Sequence, residues 1–392
     1  MKLLDKPFNN NFNFQSRPEV IFRVDASTSI GLGHLSRCLV LANHLYNHGL
    51  NSSFICQSDP CLSALFSENL FCLFEIEQKP LAPRDSNYKA VSVEQQLEDS
   101  NNSADLLRQN NILSPSLVIV DHYGFDIAWE RNFLDKLNLG TLPKLIVLDD
   151  YANRPHICDV LIDHVLGHTR SDYIALVPPK CIFLGAPKNI ILRPEFASSV
   201  NKVSRRSGDC IHSHHSFSIF LAMGLDPFLR LFKVIESLSL FDQEYQCISI
   251  DLMVSSATPH LDQIKNFVAS LGLKMSIHVN LRNPASIMKG SDLAITSGGL
   301  ISYELAACNV PMLLVPQSPA ELKASTYLEH HLHGWVIRDF DEITPKNLAA
   351  LLYKFIANKI FLEPCKTSLI DGLGANRVAS AIISLLSSKN CI

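Results

Sequence analysis

The sequence lacks a basic excess: 34 Lys and Arg stand against 38 Asp and Glu, a net charge of −4 with His neutral. That removes the electrostatic footprint of a nucleic-acid binder. No apolar run approaches the roughly 18 residues of a membrane span, so no membrane insertion is expected. The 11 cysteines include no C-x-x-C pair; Cys56 and Cys61, five apart, are the closest, and that spacing fits no zinc site. Scattered thiols in an odd number read as reduced side chains in a cytoplasmic protein. The His-rich tracts, His212, His214 and His215 and then His330, His331 and His333, lack the i, i+4 pairing with an acid of a catalytic zinc helix. No metal or other cofactor is expected. Residues 1–19 are polar and Asn-rich, without the apolar centre of a signal peptide, and read as a disordered leader.

What is present is apolar: 47% of the 392 residues are hydrophobic and 18% charged, enough for two packed domains. Short apolar runs alternate with helical patterns, which predicts parallel α/β sheets. In the first half, runs at Val20–Val24, Leu117–Val120, Leu145–Leu148 and Asp159–Asp163 are closed by Asp25, Asp121, Asp149 and Asp163. Each aspartate alone is commonly a cap or turn residue; four at equivalent strand ends point to a polar cleft, since ligands bind at the carboxyl edges of such sheets. Short helices are predicted over Leu62–Leu70, Val93–Leu97 and Ala104–Gln109. The Ser-, Arg- and His-rich stretch after Phe196 breaks the pattern and predicts a linker. The expected organisation is a first domain over 20–196, a linker over 197–217 and a second domain over 218–392, helical from Asp341 to the end, its last helix packing back on the first domain. Both halves are expected to be doubly wound Rossmann-like domains facing across a cleft.

Two glycine turns carry the chemistry. Val20–Val24, then Gly31-Leu-Gly33-His34, then Leu35, Leu39, Ala42 and Tyr46 on one helical face read as strand, turn and helix. A helix start beside glycines suits an anion, although the third glycine of a dinucleotide fingerprint is missing. His34 falls in the first helical turn, where the dipole disfavours imidazolium and a neutral imidazole is a candidate general base. The alternative is an ordinary turn with a half-exposed histidine. In the second half, Ser297-Gly298-Gly299 opens a helix whose backbone N–H groups suit a phosphate. Glu304, about one and a half turns further, has the reach to accept from two vicinal ribose hydroxyls; the plain alternative is a surface glutamate.

Several blocks, in order along nearly the whole chain, resemble one family. They are Arg23-Val-Asp25-Ala-Ser27 with Gly31-x-Gly33-His34-x-x-Arg37-Cys38; Val120-Asp121-His122-Tyr123-Gly124; Leu148-Asp149-Asp150 with Arg154-Pro155-His156; Leu192-Arg193-Pro194-Glu195-Phe196; Gly224-x-Asp226-Pro227; Gly298-Gly299 with Tyr303-Glu304; and Asp371-Gly372-x-Gly374-Ala375-x-Arg377-Val378. The family is the UDP-2,4-diacetamido-2,4,6-trideoxy-β-L-altropyranose hydrolases of pseudaminic acid biosynthesis. The resemblance implies a GT-B fold and a metal-independent hydrolase that releases UDP and free sugar from a UDP-sugar; the sequence does not give the oligomeric state, and a monomer is the working expectation. It implies His34 as the base activating water, with inversion at the anomeric carbon. It implies Asp25, Gly33, Arg37, Asp121, Tyr123, Asp150 and Arg193 around the substrate, and Gly224, Ser297, Gly298, Gly299 and Glu304 around the UDP. Three positions depart from the family pattern: Ala222-Met223 replaces Phe-Gly before Gly224, His164-Val165 replaces Gln-Asn after Asp163, and Leu322-Lys323 replaces Asn-Gln after Ala320-Glu321. A GT-B glycosyltransferase, a hydrolase of another UDP-sugar and an inactive nucleotide-sugar binder therefore stand as alternatives, because fold alone does not separate them.

Overall fold

The computed structural model describes residues 17–27, 32–60, 62, 66, 70–77, 90–137, 139–197, 217–224, 226, 229–245, 248–256, 258, 260–331, 334–357 and 369–387. The expected leader and linker and the Leu62–Leu70 helix fall largely outside them, as do Gly31, Pro227, His212, His214, His215 and His333.

The first sheet holds β1 (Glu19–Val24), β2 (Asn51–Gln57), β3 (Cys72–Ile76), β4 (Leu117–Asp121), β5 (Lys144–Leu148), β6 (Val160–Asp163) and β7 (Ile182–Gly185), in the order β3-β2-β1-β4-β5-β6-β7. The second holds β8 (Phe217–Ala222), β9 (Ile248–Val254), β10 (Met275–Val279), β11 (Leu293–Thr296), β12 (Met312–Leu314) and β13 (Gly334–Val336), in the order β10-β9-β8-β11-β12-β13. Every pairing is parallel. Both are doubly wound sheets whose strand order reverses once, between β1 and β4 and between β8 and β11. Crevices outside the carboxyl ends of those strand pairs are where such sheets bind ligands. Two Rossmann-like halves of this kind make the GT-B fold.

The central strands are apolar on both faces because helices cover both. Val20, Phe22 and Val24 of β1 pack with Leu35, Leu41 and Leu45 of α1 (Gly33–Asn47), while Ile21 packs with Val118, Trp129 and Phe133 on the opposite face. Each such side chain removed from water contributes about 1.5–3 kcal/mol. A third cluster joins the halves: Leu166, Ile190, Leu192 and Phe196 pack with Phe220, Tyr303, Leu305 and Ile370. The final helix, Gly374–Ser387, buries Ala375, Val378, Ala379 and Ile382 in the core of the first sheet. It enters under tight backbone contact, where a Cβ on Gly374 would lie 2.1 Å from the Ile190 carbonyl oxygen, so only glycine fits.

Two expectations are corrected, and two strands went unanticipated. Val93–Gln109 is one helix, α2, not two short ones. Its buried face is largely polar (Gln96, Asp99, Ser100 and Ser103), so hydrophobic periodicity fades at its middle. Strands β7 and β13 are too short and too exposed to give a run of their own. After Asp341 the described chain forms two helices, Pro345–Ala357 and Gly374–Ser387, rather than one continuous pattern. No described helix is long and apolar enough to cross a membrane.

Candidate active site

The first sheet's reversal point brings α1 against the end of β4. Val24 of β1 pairs with Asp121 of β4, so the helix following β1 starts beside the Asp121 carboxylate. No side chain caps α1 at Leu32. His34, in its first turn, points Nδ1 at Asp121 Oδ1 at 2.6 Å, and its side chain is 11% exposed. The same oxygen accepts from Arg37 Nη2 at 2.7 Å. Arg37 Nη2 also lies 3.2 Å from His34 Nδ1. Two donors converging on one acceptor oxygen explain that proximity, because a bare Nδ1 lone pair at 2.6 Å from a carboxylate oxygen would be repelled. The geometry thus assigns the proton to Nδ1 and the lone pair to Nε2, the tautomer a general base needs. Burial would raise the Asp121 pKa, but the Arg37 charge above all, with the hydrogen bonds that Arg37 and His34 donate, holds it well below the usual carboxylate range. The His34 ring meets the Tyr123 ring edge-on at 4.3 Å, and Tyr123 meets Tyr151 likewise at 4.6 Å.

Arg37 was expected beside the substrate; the structure makes it the buried hub beneath His34. Its Nε donates to Asp121 Oδ2 at 2.7 Å and its Nη1 to Asp150 Oδ2 at 2.8 Å. Nη1 also meets His164 Nδ1 at 3.3 Å. With the Nη2 bond to Asp121, four of the five guanidinium protons are engaged. Asp150 is engaged too: Tyr123 donates to Oδ2 at 2.7 Å and the His164 backbone N–H to Oδ1 at 3.2 Å. Burial, then the guanidinium beside it, drives the His164 pKa down to about 3, which leaves this imidazole neutral. The histidine that departs from the family pattern is therefore wired into the hub, a role that spacing along the chain does not suggest.

Asp25 is also relocated. It pairs with Arg23 and accepts from the Gln57 N–H at 2.7 Å and from His122 Nε2 at 3.0 Å. Arg23 in turn donates to Asp99 of α2 at 2.6 and 3.0 Å, and Trp129 Nε1 reaches Asp99 at 2.8 Å. At 2% exposure, Asp25 holds β1 to β2 and α2 instead of lining the cleft.

The Arg154-Pro155-His156 block is framework as well. His156 Nδ1 donates to Glu130 at 2.6 Å, while Nε2 lies 3.8 Å from Asp149, within ion-pair range but too far for a hydrogen bond. Burial alone would lower the His156 pKa; Asp149 and Glu130 overcome it and push it up to about 9. A raised folded pKa stabilises fully below the unfolded value of about 6.5 and ceases to as pH rises through about 9. Denaturant titrations of wild type and His156→Gln are therefore expected to differ most at pH 6 and to converge toward pH 9.5. A gap independent of pH would show that the charge on His156 contributes nothing.

At the second sheet's reversal point, the turns after β8 and β11 meet. Ala222 pairs with Thr296, and a Cβ on Gly224, whose φ is +64°, would lie 4.0 Å from Ser297 Oγ. Gly298-Gly299 opens helix Leu300–Ala307, but its anion position is already filled. Glu321 accepts from the Gly298 N–H and, through Oε2, from the Gln317 N–H at 2.7 Å. A Cβ on Gly299 would stand 3.1 Å from Glu321 Oε1, and one on Gly298 2.3 Å from Ser325 Oγ. The cradle expected for phosphate is thus occupied by the protein's own carboxylate, whose pKa burial raises more than its donors lower it. Glu321 sits in the Ala-Glu pair that precedes the two replaced amides; a carboxylate at a helix start is its sequence signal.

The two halves meet around these turns. Arg193 donates to Glu304 Oε1 from Nε at 3.1 Å and from Nη2 at 2.8 Å. Gly167, after β6, faces Tyr327 and Lys323 of helix Pro319–His331: a Cβ there would lie 3.4 and 3.9 Å from them. A groove of about 450 Å³ lined by Trp335, Arg338, Ile343 and Phe355 contains none of the candidate residues. Among the described residues no cluster of three His, Cys, Asp or Glu could hold a metal ion.

No protein-family profile matches the chain. It is 27% identical over 288 residues to the UDP-2,4-diacetamido-2,4,6-trideoxy-β-L-altropyranose hydrolase of Campylobacter jejuni, covering 73% of this chain and 88% of that protein. It is 26% identical over 310 residues to the uncharacterized protein MJ1062 of Methanocaldococcus jannaschii, covering 77% of this chain; the match spans 56% of the longer relative. A Staphylococcus aureus MnaA–UDP co-structure superposes with a TM-score of 0.63 at 11% identity, over 94% of this chain and 97% of that one. The chain is a divergent relative of the altropyranose hydrolase, carried on a GT-B fold.

Proposed function

We propose that this protein is a cytoplasmic enzyme that hydrolyses a UDP-linked diacetamido-trideoxy sugar at the anomeric C–O bond, releasing UDP and the free sugar for nonulosonic acid synthesis. The observation that carries the reading is the His34–Asp121 pair, whose tautomer leaves Nε2 as a base at the reversal point of the first sheet. His34 Nε2 takes a proton from water as the water oxygen bonds to the anomeric carbon. The bond to UDP breaks, its electron pair leaves on the β-phosphate oxygen, and the configuration inverts. Asp121 faces the imidazolium that forms. UDP sits on the second domain, with its ribose on Glu304 and its diphosphate at Gly224 and Ser297–Gly299, where it must displace or share the donors of Glu321. The reaction calls on no cofactor and no metal.

A second reading, a transferase or a hydrolase of a different UDP-sugar, is favoured by one observation: Lys323, in place of an amide, faces the Gly167 loop between the halves. One assay separates them. A panel of UDP-sugars is incubated with and without acceptor alcohols and scored for UDP release. The proposed reading expects release in water alone from a diacetamido-trideoxy substrate, reduced roughly 10²–10⁴-fold in His34→Ala. Release only with acceptor would make the protein a transferase. UDP binding with turnover indifferent to His34 would remove the base assignment.

A further inference from the structure

We propose that Arg193 is a positioning residue: from the closing segment of the first domain it aims Glu304 of the second at the vicinal hydroxyls of a ribonucleotide. The inference rests on the reading that UDP seats on the second domain. Both guanidinium donors directed at Glu304 go to a single oxygen, Oε1, at 2.8 and 3.1 Å. Among the described residues nothing donates to Oε2. The third donor, Nη1, is used on the Arg282 carbonyl at 3.0 Å, so the guanidinium is tied to the second domain at two points. Its position along the first domain is held by Glu195 at 3.5 Å and by the Phe196 ring, 5.3 Å from the guanidinium carbon.

The asymmetry matters. A glutamate free to rotate would present either oxygen, and ordering it would oppose ligand binding. With Oε1 clamped, the carboxylate plane is set and Oε2 is the oxygen left for a ligand. The pair is also graded in exposure: the Arg193 side chain is 24% exposed and that of Glu304 4%. Arg193 therefore shields the carboxylate from water and opposes, by its charge and its hydrogen bonds, the rise in pKa that burial causes. Because the two residues belong to different domains, recognition of the ribose depends on the domains being correctly juxtaposed. A nucleotide that uses Oε2 then favours the arrangement seen here.

The test compares UDP with 2′-deoxy-UDP by calorimetry on the full chain. Wild type is expected to favour UDP by about ten- to a hundredfold, the range for a hydrogen bond to a charged acceptor. Glu304→Gln should reduce that ratio to near one. Arg193→Met, which keeps the stem over Phe196 but has no donors, should also reduce it to below threefold, and Arg193→Lys, with one donor able to reach Oε1, should restore part of it. Thermal melts of each variant with and without UDP establish that the fold persists. If wild type and Arg193→Met discriminate equally while Glu304→Gln does not, Arg193 positions nothing and the proposal is overturned, although the ribose reading of Glu304 stands. If wild type itself shows no discrimination, the ribose reading fails and the proposal with it. Tighter UDP binding by Arg193→Met would also overturn it, showing that Arg193 competes with the nucleotide for Glu304.

Discussion

Asp121→Asn is expected to lower UDP release by roughly 10³–10⁴-fold, the loss known where an acid orients a catalytic imidazole, while changing UDP affinity less than twofold. A carboxamide presents one acceptor and one donor where the carboxylate presents two acceptors. Arg37 spans both Asp121 oxygens, from Nε and Nη2 at 2.7 Å each, so one guanidinium contact turns donor against donor. If the carbonyl oxygen stays on Arg37 Nε, the amide N–H₂ faces His34 Nδ1, which must then accept. The ring proton moves to Nε2, and the base is lost without any change in shape. The nucleotide affinity is the internal control, since UDP is placed on the opposite domain. His34→Ala should cost about as much, and the double variant little more than either single one, because paired groups that act as a unit lose activity non-additively. Turnover near wild type in Asp121→Asn would show that His34 is not oriented by Asp121, and with it the proposed base would lose its support.

The second large effect is on stability. Arg37→Met is expected to cost about 3–5 kcal/mol, as when one member of a buried ion-pair network is removed. That corresponds to a fall of roughly 6–20 °C in melting temperature for a domain of this size. The variant leaves two buried carboxylates, Asp121 and Asp150, without the guanidinium that pairs with both. The sign with pH follows from the shifts. Burial opposes ionisation of both aspartates, but the Arg37 charge, the strongest opposing influence on each, brings their pKa values below the usual range. Such groups stabilise above their unfolded pKa of about 3.9 and cease to as pH falls through the folded value. The deficit of Arg37→Met is therefore expected to be full at pH 7 and to shrink below about pH 4. Melting curves across that range check it. A variant that melts like wild type but shows a raised KM would return Arg37 to the substrate-contacting role that its sequence neighbourhood suggests.

Much of this protein was decided by the order of its residues. Apolar runs closed by aspartates dictate parallel strands, because a strand covered by helices on both faces must be apolar throughout and its polar termini must collect at one edge. The glycine turn before His34 and the one before Glu304 mark the two reversal points, since only there do loops of neighbouring strands diverge enough to open a crevice. Tertiary structure decided which charged residue does what. Asp25 and Asp121 end adjacent strands and look alike along the chain. Arg23 and His122 enclose the first, whereas the second turns toward His34, because α1 begins on its side of the sheet. Arg37 became a hub instead of a contact because three strand ends converge beneath it. Glu321 filled a cradle that glycines alone had promised to phosphate, and Arg193 met Glu304 from the other domain, 111 residues away. Such pairings depend on how two sheets are brought face to face, and burial then sets the charge of each partner, so no local pattern along the chain encodes them.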